Sequence, residues 1–93
     1  MPVLRERRLR AMLRRGEVDG LVELYDRHGG SCLALAGELV GEPPAAHEIV
    51  FEVYLRVRRQ FVPRHLPLRT WLREETRLMA RLHSAGVPRL RLS

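Results

Sequence analysis

Arginine, histidine and cysteine are the side chains of this sequence best suited to act on, or hold, another molecule: seventeen arginines, four histidines and one cysteine. His28, His47, His65 and His83 stand apart from one another, and Cys32 is alone, so no metal-ligand spacing and no internal disulfide is expected. No nucleophile sits beside a base at useful spacing, and no glycine-rich loop follows a strand. The sequence therefore points to neither an enzyme nor a cofactor. The arginines are different. They alone give the net charge of +6 against 11 acidic residues, because the chain has no lysine. A genome rich in G and C explains arginine in place of lysine, but not the excess of basic over acidic groups. A planar guanidinium donates two parallel hydrogen bonds to phosphate, so the excess suggests an anionic partner such as nucleic acid; the alternative is a basic surface that is merely solvated.

The elements that must position these groups are helical. At 93 residues the chain has room for one domain with one modest core, and its charged residues are spread along it, not gathered in a tail. Leu4, Leu9, Met12 and Leu13 recur among arginines as a short amphipathic helix ending at Gly16. Asp19 is a possible cap for a second helix carrying Leu21, Val22, Leu24 and Tyr25, which the Gly29-Gly30 pair is expected to end or bend. Ser31 restarts it with Leu33, Leu35, Ala36, Leu39 and Val40 on its apolar side, up to Gly41. Pro43 and Pro44 suit a helix N-terminus and launch the next long helix, about 45–61. Pro63 and Pro67 bracket a loop, and Thr70 is a reasonable cap for a last helix that stops before Gly86 and Pro88. No segment alternates as a strand does. The expected architecture is all-α, a single small bundle of about four helices: a basic N-terminal helix over 1–15, a domain over 16–86 and a short basic tail over 87–93. No apolar run is long enough to cross a bilayer and no secretion signal is legible, so a cytoplasmic location is expected.

On a helical wheel, Ala46, Ile49, Val50, Val53, Val57 and Phe61 share the core face of the long helix, with Tyr54 at its edge. Nearly opposite lie Glu48, Phe51, Glu52, Leu55 and Arg59. Two large apolar residues flanked by carboxylates fit a docking site for another protein; alternatively, the N-terminal helix covers Phe51 and Leu55. In the last helix Leu68, Trp71, Leu72, Met79 and Leu82 face the core, with Leu78 beside them. Arg73, Arg77 and Arg81 repeat every fourth residue on the other side, where like charges repel; Glu74 relieves part of this through Arg77. A phosphate backbone would satisfy the row, together with Arg58, Arg59, Arg64 and Arg69 on or near the preceding loop. Glu75 falls inside the apolar stripe and needs a donor or a place at its edge.

Four pieces in order resemble region 2 of the extracytoplasmic-function sigma factors of bacterial RNA polymerase. LRRGEVDGLVELY (13–25) is similar to that family's basic stretch, glycine, acid and helix ending in Leu-Tyr. DRHGGSCLALAGELVG (26–41) resembles the segment up to its Gly-acid turn. AHEIVFEVYL (46–55) resembles its Ala-Glu-Asp signature, and PLRTWL (67–72) its Pro-hydrophobic-x-x-Trp-Leu motif. The resemblance implies that the long helix docks on the clamp helices of the RNA polymerase core, with Glu48 and Glu52 as acidic contacts, Leu55 as an apolar one, and His47, Phe51 and Arg59 on the same face. It also implies that the loop over 60–70 and the last helix approach the −10 promoter element, with Arg77 at the place of the family's arginine there; Arg58, Arg64, Arg69, Trp71, Arg73 and Arg81 are the other residues expected toward DNA.

The pattern departs from the family at working positions. His47-Glu48 stands for Glu-Asp, Phe51 for a glutamine, and Leu78 for the asparagine after the arginine that Arg77 matches. The sequence also lacks a counterpart of the family's second helical domain, so only a weak hold on promoter DNA is implied. The alternative is a protein-binding module that uses the sigma-like surface on an anti-sigma factor, or on a second copy of itself, with no role at DNA.

Overall fold

A computed structural model of the protein describes residues 2–59 and 63–87, with side chains from residue 6 onward. It is an all-α bundle of four helices, α1 (Pro2–Arg14), α2 (Val18–Val40), α3 (Pro43–Arg59) and α4 (Leu68–Ser84), and no strand occurs among the described residues. The expected core position of Phe61 and the tail over 88–93 lie outside the described residues.

The longest helix, α2, is central and packs against the other three. Leu24, Cys32 and Ala36 of α2 meet Ala46, Ile49, Val50, Val53 and Val57 of α3 and Leu68, Trp71, Leu72, Met79 and Ala80 of α4 in one apolar cluster. Leu9, only 1% exposed, brings α1 into the same cluster. Gly20 makes that approach possible, because a Cβ there would lie 3.1 Å from Met12 Cβ and 3.3 Å from the Leu13 nitrogen. Gly41 stops α2 at φ 77°, where its N–H donates to the Gly37 carbonyl.

Several local expectations are corrected. Gly29 and Gly30 neither end nor bend α2, and Ser31 restarts nothing, since the helix is continuous from Val18. Each glycine costs a helix about 1 kcal/mol relative to alanine, which burial of Leu24, Cys32, Leu35 and Ala36 along one side of α2 outweighs. Leu39 is exposed, and Cys32 takes an inward place instead. Glu17 and Pro67, not Asp19 and Thr70, stand at the helix N-caps, and neither makes a side-chain capping bond. The first turn of α3 does hold Pro43 and Pro44.

Candidate docking groove and basic surface

On α3, the core face buries Ala46, Ile49, Val50, Val53 and Val57, all of one stripe. Phe51 points away from it and is 64% exposed. Such a ring forfeits about 1.5–3 kcal/mol that burial would give. The N-terminal helix does not cover it.

Phe51 instead forms one wall of an apolar groove of about 540 Å³. Val50, Tyr54 and Leu55 of α3 continue that wall, Leu21, Val22 and Tyr25 of α2 make the other, and His47 and Arg58 stand on its rim. Val22 and Tyr25, with Val18 one turn earlier, are exposed and recur at i, i+4 and i+7 along α2. This second wall is the part that sequence reasoning missed. The signal was present in the i, i+3 and i+4 spacing of Leu21, Val22 and Tyr25, but those residues were equally readable as core.

The two walls of the groove meet at Tyr25 and Tyr54. Tyr25 and Tyr54 meet edge to face, with ring centroids 5.4 Å apart and planes at 74°. The Tyr54 hydroxyl donates to the Leu24 carbonyl at 3.4 Å. Burial, together with the neighbouring Cys32, pushes the Tyr54 phenol up, so it serves as a neutral hydrogen-bonding group. Burial likewise raises the Cys32 thiol, although the hydroxyls of Thr76 and Tyr54 act against it.

Of the other residues expected on this face, Glu48 and Arg59 are exposed and Leu55 is half-buried. Glu52 is not on it. It is 7% exposed, because it shares the flank of Ile49 and of Arg56, one turn on, which reaches α4. Arg58, expected toward DNA, is exposed and lines the groove.

The other arginines expected at DNA take different places. Arg77 and Arg81 are exposed and border a cleft of about 590 Å³ with Leu39, Ala80, Ser84 and Ala85. Arg73 is half-buried and directs a guanidinium nitrogen to the Ser31 hydroxyl at 3.4 Å, so it leaves the row. Trp71, also expected at DNA, is 6% exposed and belongs to the core. Glu74 is exposed and joins no ion pair with Arg77 among the described residues, as expected of two solvated side chains with no fixed geometry. Glu75 does find its donor, Arg56.

Arg64 lines a third cleft, of about 460 Å³, with Glu6, Arg7, Arg10, His65, Leu66 and Pro67. Arg10 is the residue there that the sequence did not single out. It pairs with Glu6 at 3.2 Å, donates to the Pro63 carbonyl at 2.6 Å and also donates to the Leu66 carbonyl, so α1 ties down the segment that leads into α4. Arg69, in the first turn of α4, is exposed, and its charge acts on His28.

Among the described residues no cluster of His, Cys, Asp or Glu could hold a metal ion, and no helix is long and apolar enough to cross a membrane. No protein-family model, curated protein or solved structure matches the chain.

Proposed function

We propose that this is a sigma-like transcription protein that docks on the clamp helices of the RNA polymerase core through the groove between α2 and α3, and holds promoter DNA weakly. The observation that carries the docking is the exposure of Phe51 in the middle of a helix whose other face is fully packed. An aromatic anchor beside a preformed apolar groove, with a polar rim at His47 and Arg58, has the anatomy of a binding hot spot. The segment AHEIVFEVYL, which most resembles a sigma factor's polymerase-binding helix, supplies the α3 wall of this groove. Arg77, Arg81, Arg64 and Arg69 are exposed and supply the phosphate contacts; with Arg73 turned to Ser31, these few contacts support weak binding.

The test is titration of purified RNA polymerase core against the wild type, Phe51→Ala and Val22→Asp. Both residues are exposed, so circular dichroism and the unfolding midpoint stay near wild type while docking weakens about thirtyfold, a loss of roughly 2 kcal/mol. Wild-type affinity in both folded variants overturns the reading.

A second reading is favoured by Trp71 in the core, Arg73 turned to Ser31 and Glu74 exposed on the same helix. Here the groove binds an anti-sigma factor or a second copy of the chain, and DNA is not involved. Promoter fragments decide it: binding that falls steeply with salt supports the first reading, and no retardation even at low salt supports the second.

A further inference from the structure

We infer that, away from any other partner, the groove is covered by a second copy of this chain, α3 lying antiparallel on α3 about a two-fold axis. This rests on the reading of the groove as a docking face, and it names an occupant whose chemistry the face itself specifies. The outward arc of α3 carries exposed His47, Glu48, Phe51 and Arg58 and half-buried Leu55, spaced so that they recur on one side of the helix. Let two such helices cross antiparallel midway between Phe51 and Leu55. Each residue then faces the one equally far beyond the crossing. Phe51 meets Leu55 of the second copy, and Glu48, three residues before Phe51, meets Arg58, three residues after Leu55. Symmetry makes each contact twice, so one arrangement gives two aromatic-aliphatic contacts at the centre and two opposite-charge pairs at the ends.

A parallel pairing of the same face would set Glu48 against Glu48 and Arg58 against Arg58, so the charges select the antiparallel one. The groove supplies what a flat face would lack. Phe51 protrudes, and beside it lies an apolar trough walled by Leu21, Val22 and Tyr25 on α2, so knob and hole are on the same surface, as a self-complementary interface requires. Because the pairing covers Phe51, a paired chain cannot also dock through that residue. The pair is a closed form, and dilution or a tighter partner opens it.

Sedimentation velocity on the full chain, with nothing added, tests this over rising concentration for the wild type, E48R, R58E and an equimolar mixture of the two variants. The wild type passes from monomer to dimer. Each single reversal places like charges at both ends and weakens the dimer about tenfold or more. In the mixture the E48R chain meets the R58E chain with opposite charges at both ends, and the dimer returns. A wild type that stays monomeric, a dimer indifferent to both reversals, or a mixture no better than either variant alone overturns the pairing. No polymerase is present in this assay. A monomeric chain that still binds polymerase therefore sinks the pairing alone, and a dimer that never binds polymerase sinks only the transcription reading.

Discussion

Arg56 on α3 donates through Nε to Oε1 of Glu75 on α4 at 2.8 Å, and the two side chains are only 15% and 14% exposed. This pair is what allows a carboxylate inside the apolar stripe of α4. Removing one partner leaves the other charge nearly buried without its counter-ion, whereas removing both restores an apolar seam. Arg56→Met is expected to lower stability by about 3 kcal/mol, and the double variant Arg56→Met/Glu75→Leu to recover most of it. Urea unfolding of the four proteins in the cycle measures both steps. If the double variant is no more stable than Arg56→Met alone, the pair is not what Glu75 needs.

The need of Glu75 for a donor was legible from α4 alone, because a wheel shows which residue intrudes on an apolar stripe. Its donor was not, since Arg56 lies on another helix and only packing brings the two together. The same limit explains Glu52. From α3 alone it shares an outward arc with Phe51, but it is buried, on the flank where Arg56, one turn on, pairs with Glu75 of α4. Helix content and the inward stripes of α3 and α4 followed from periodicity, which is local. The continuity of α2 through Gly29-Gly30 did not follow, because local propensity argues for a break and burial on both sides of the pair overrides it. The groove was half legible: Phe51 stood out as too apolar for its face, while Val22 and Tyr25 could not be told from core until α3 left them uncovered.

Those two glycines are expected to respond oppositely to alanine. A Cβ on Gly30 meets nothing within 4 Å, so Gly30→Ala stabilises α2 by about 0.5–1 kcal/mol through helix propensity. A Cβ on Gly29 would lie 2.7 Å from Tyr25 Cδ1 and 2.8 Å from Cε1. The ring must swing away, which breaks its edge contact with Tyr54 and reshapes the groove wall. Thermal unfolding should rise by a few degrees for Gly30→Ala, at about 4–8 °C per kcal/mol, and stay level or fall for Gly29→Ala. A rise of equal size in both would show that Tyr25 moves at no cost.

Arg10 ties α1 to the Pro63 and Leu66 carbonyls. Arg10→Met keeps most of the side-chain bulk but leaves both carbonyls without that donor, so its effect should be local. Hydrogen exchange is expected to quicken in the first turn of α4, at the Trp71 amide that donates to the Pro67 carbonyl, while the α2 core keeps its protection. Protection of the Trp71 amide equal to that of the wild type would mean that the Arg10 bonds do not hold this segment.

His28 gives the bundle an acid-sensitive point. It is half-buried, and burial lowers its pKa from 6.5; the charges of Arg27 and Arg69 act in the same direction, and only Glu6 opposes them. The folded chain therefore binds a proton at this site less readily than the unfolded chain does. Well above pH 6.5 both states are neutral there, and His28 costs nothing. As the pH falls through that value the unfolded state takes up the proton first, so stability declines until the folded state is protonated too. His28→Asn removes this dependence. The urea midpoint of the wild type should drop between about pH 7.5 and pH 5 by more than that of His28→Asn. Parallel declines in the two proteins would assign the acid sensitivity to the carboxylates instead.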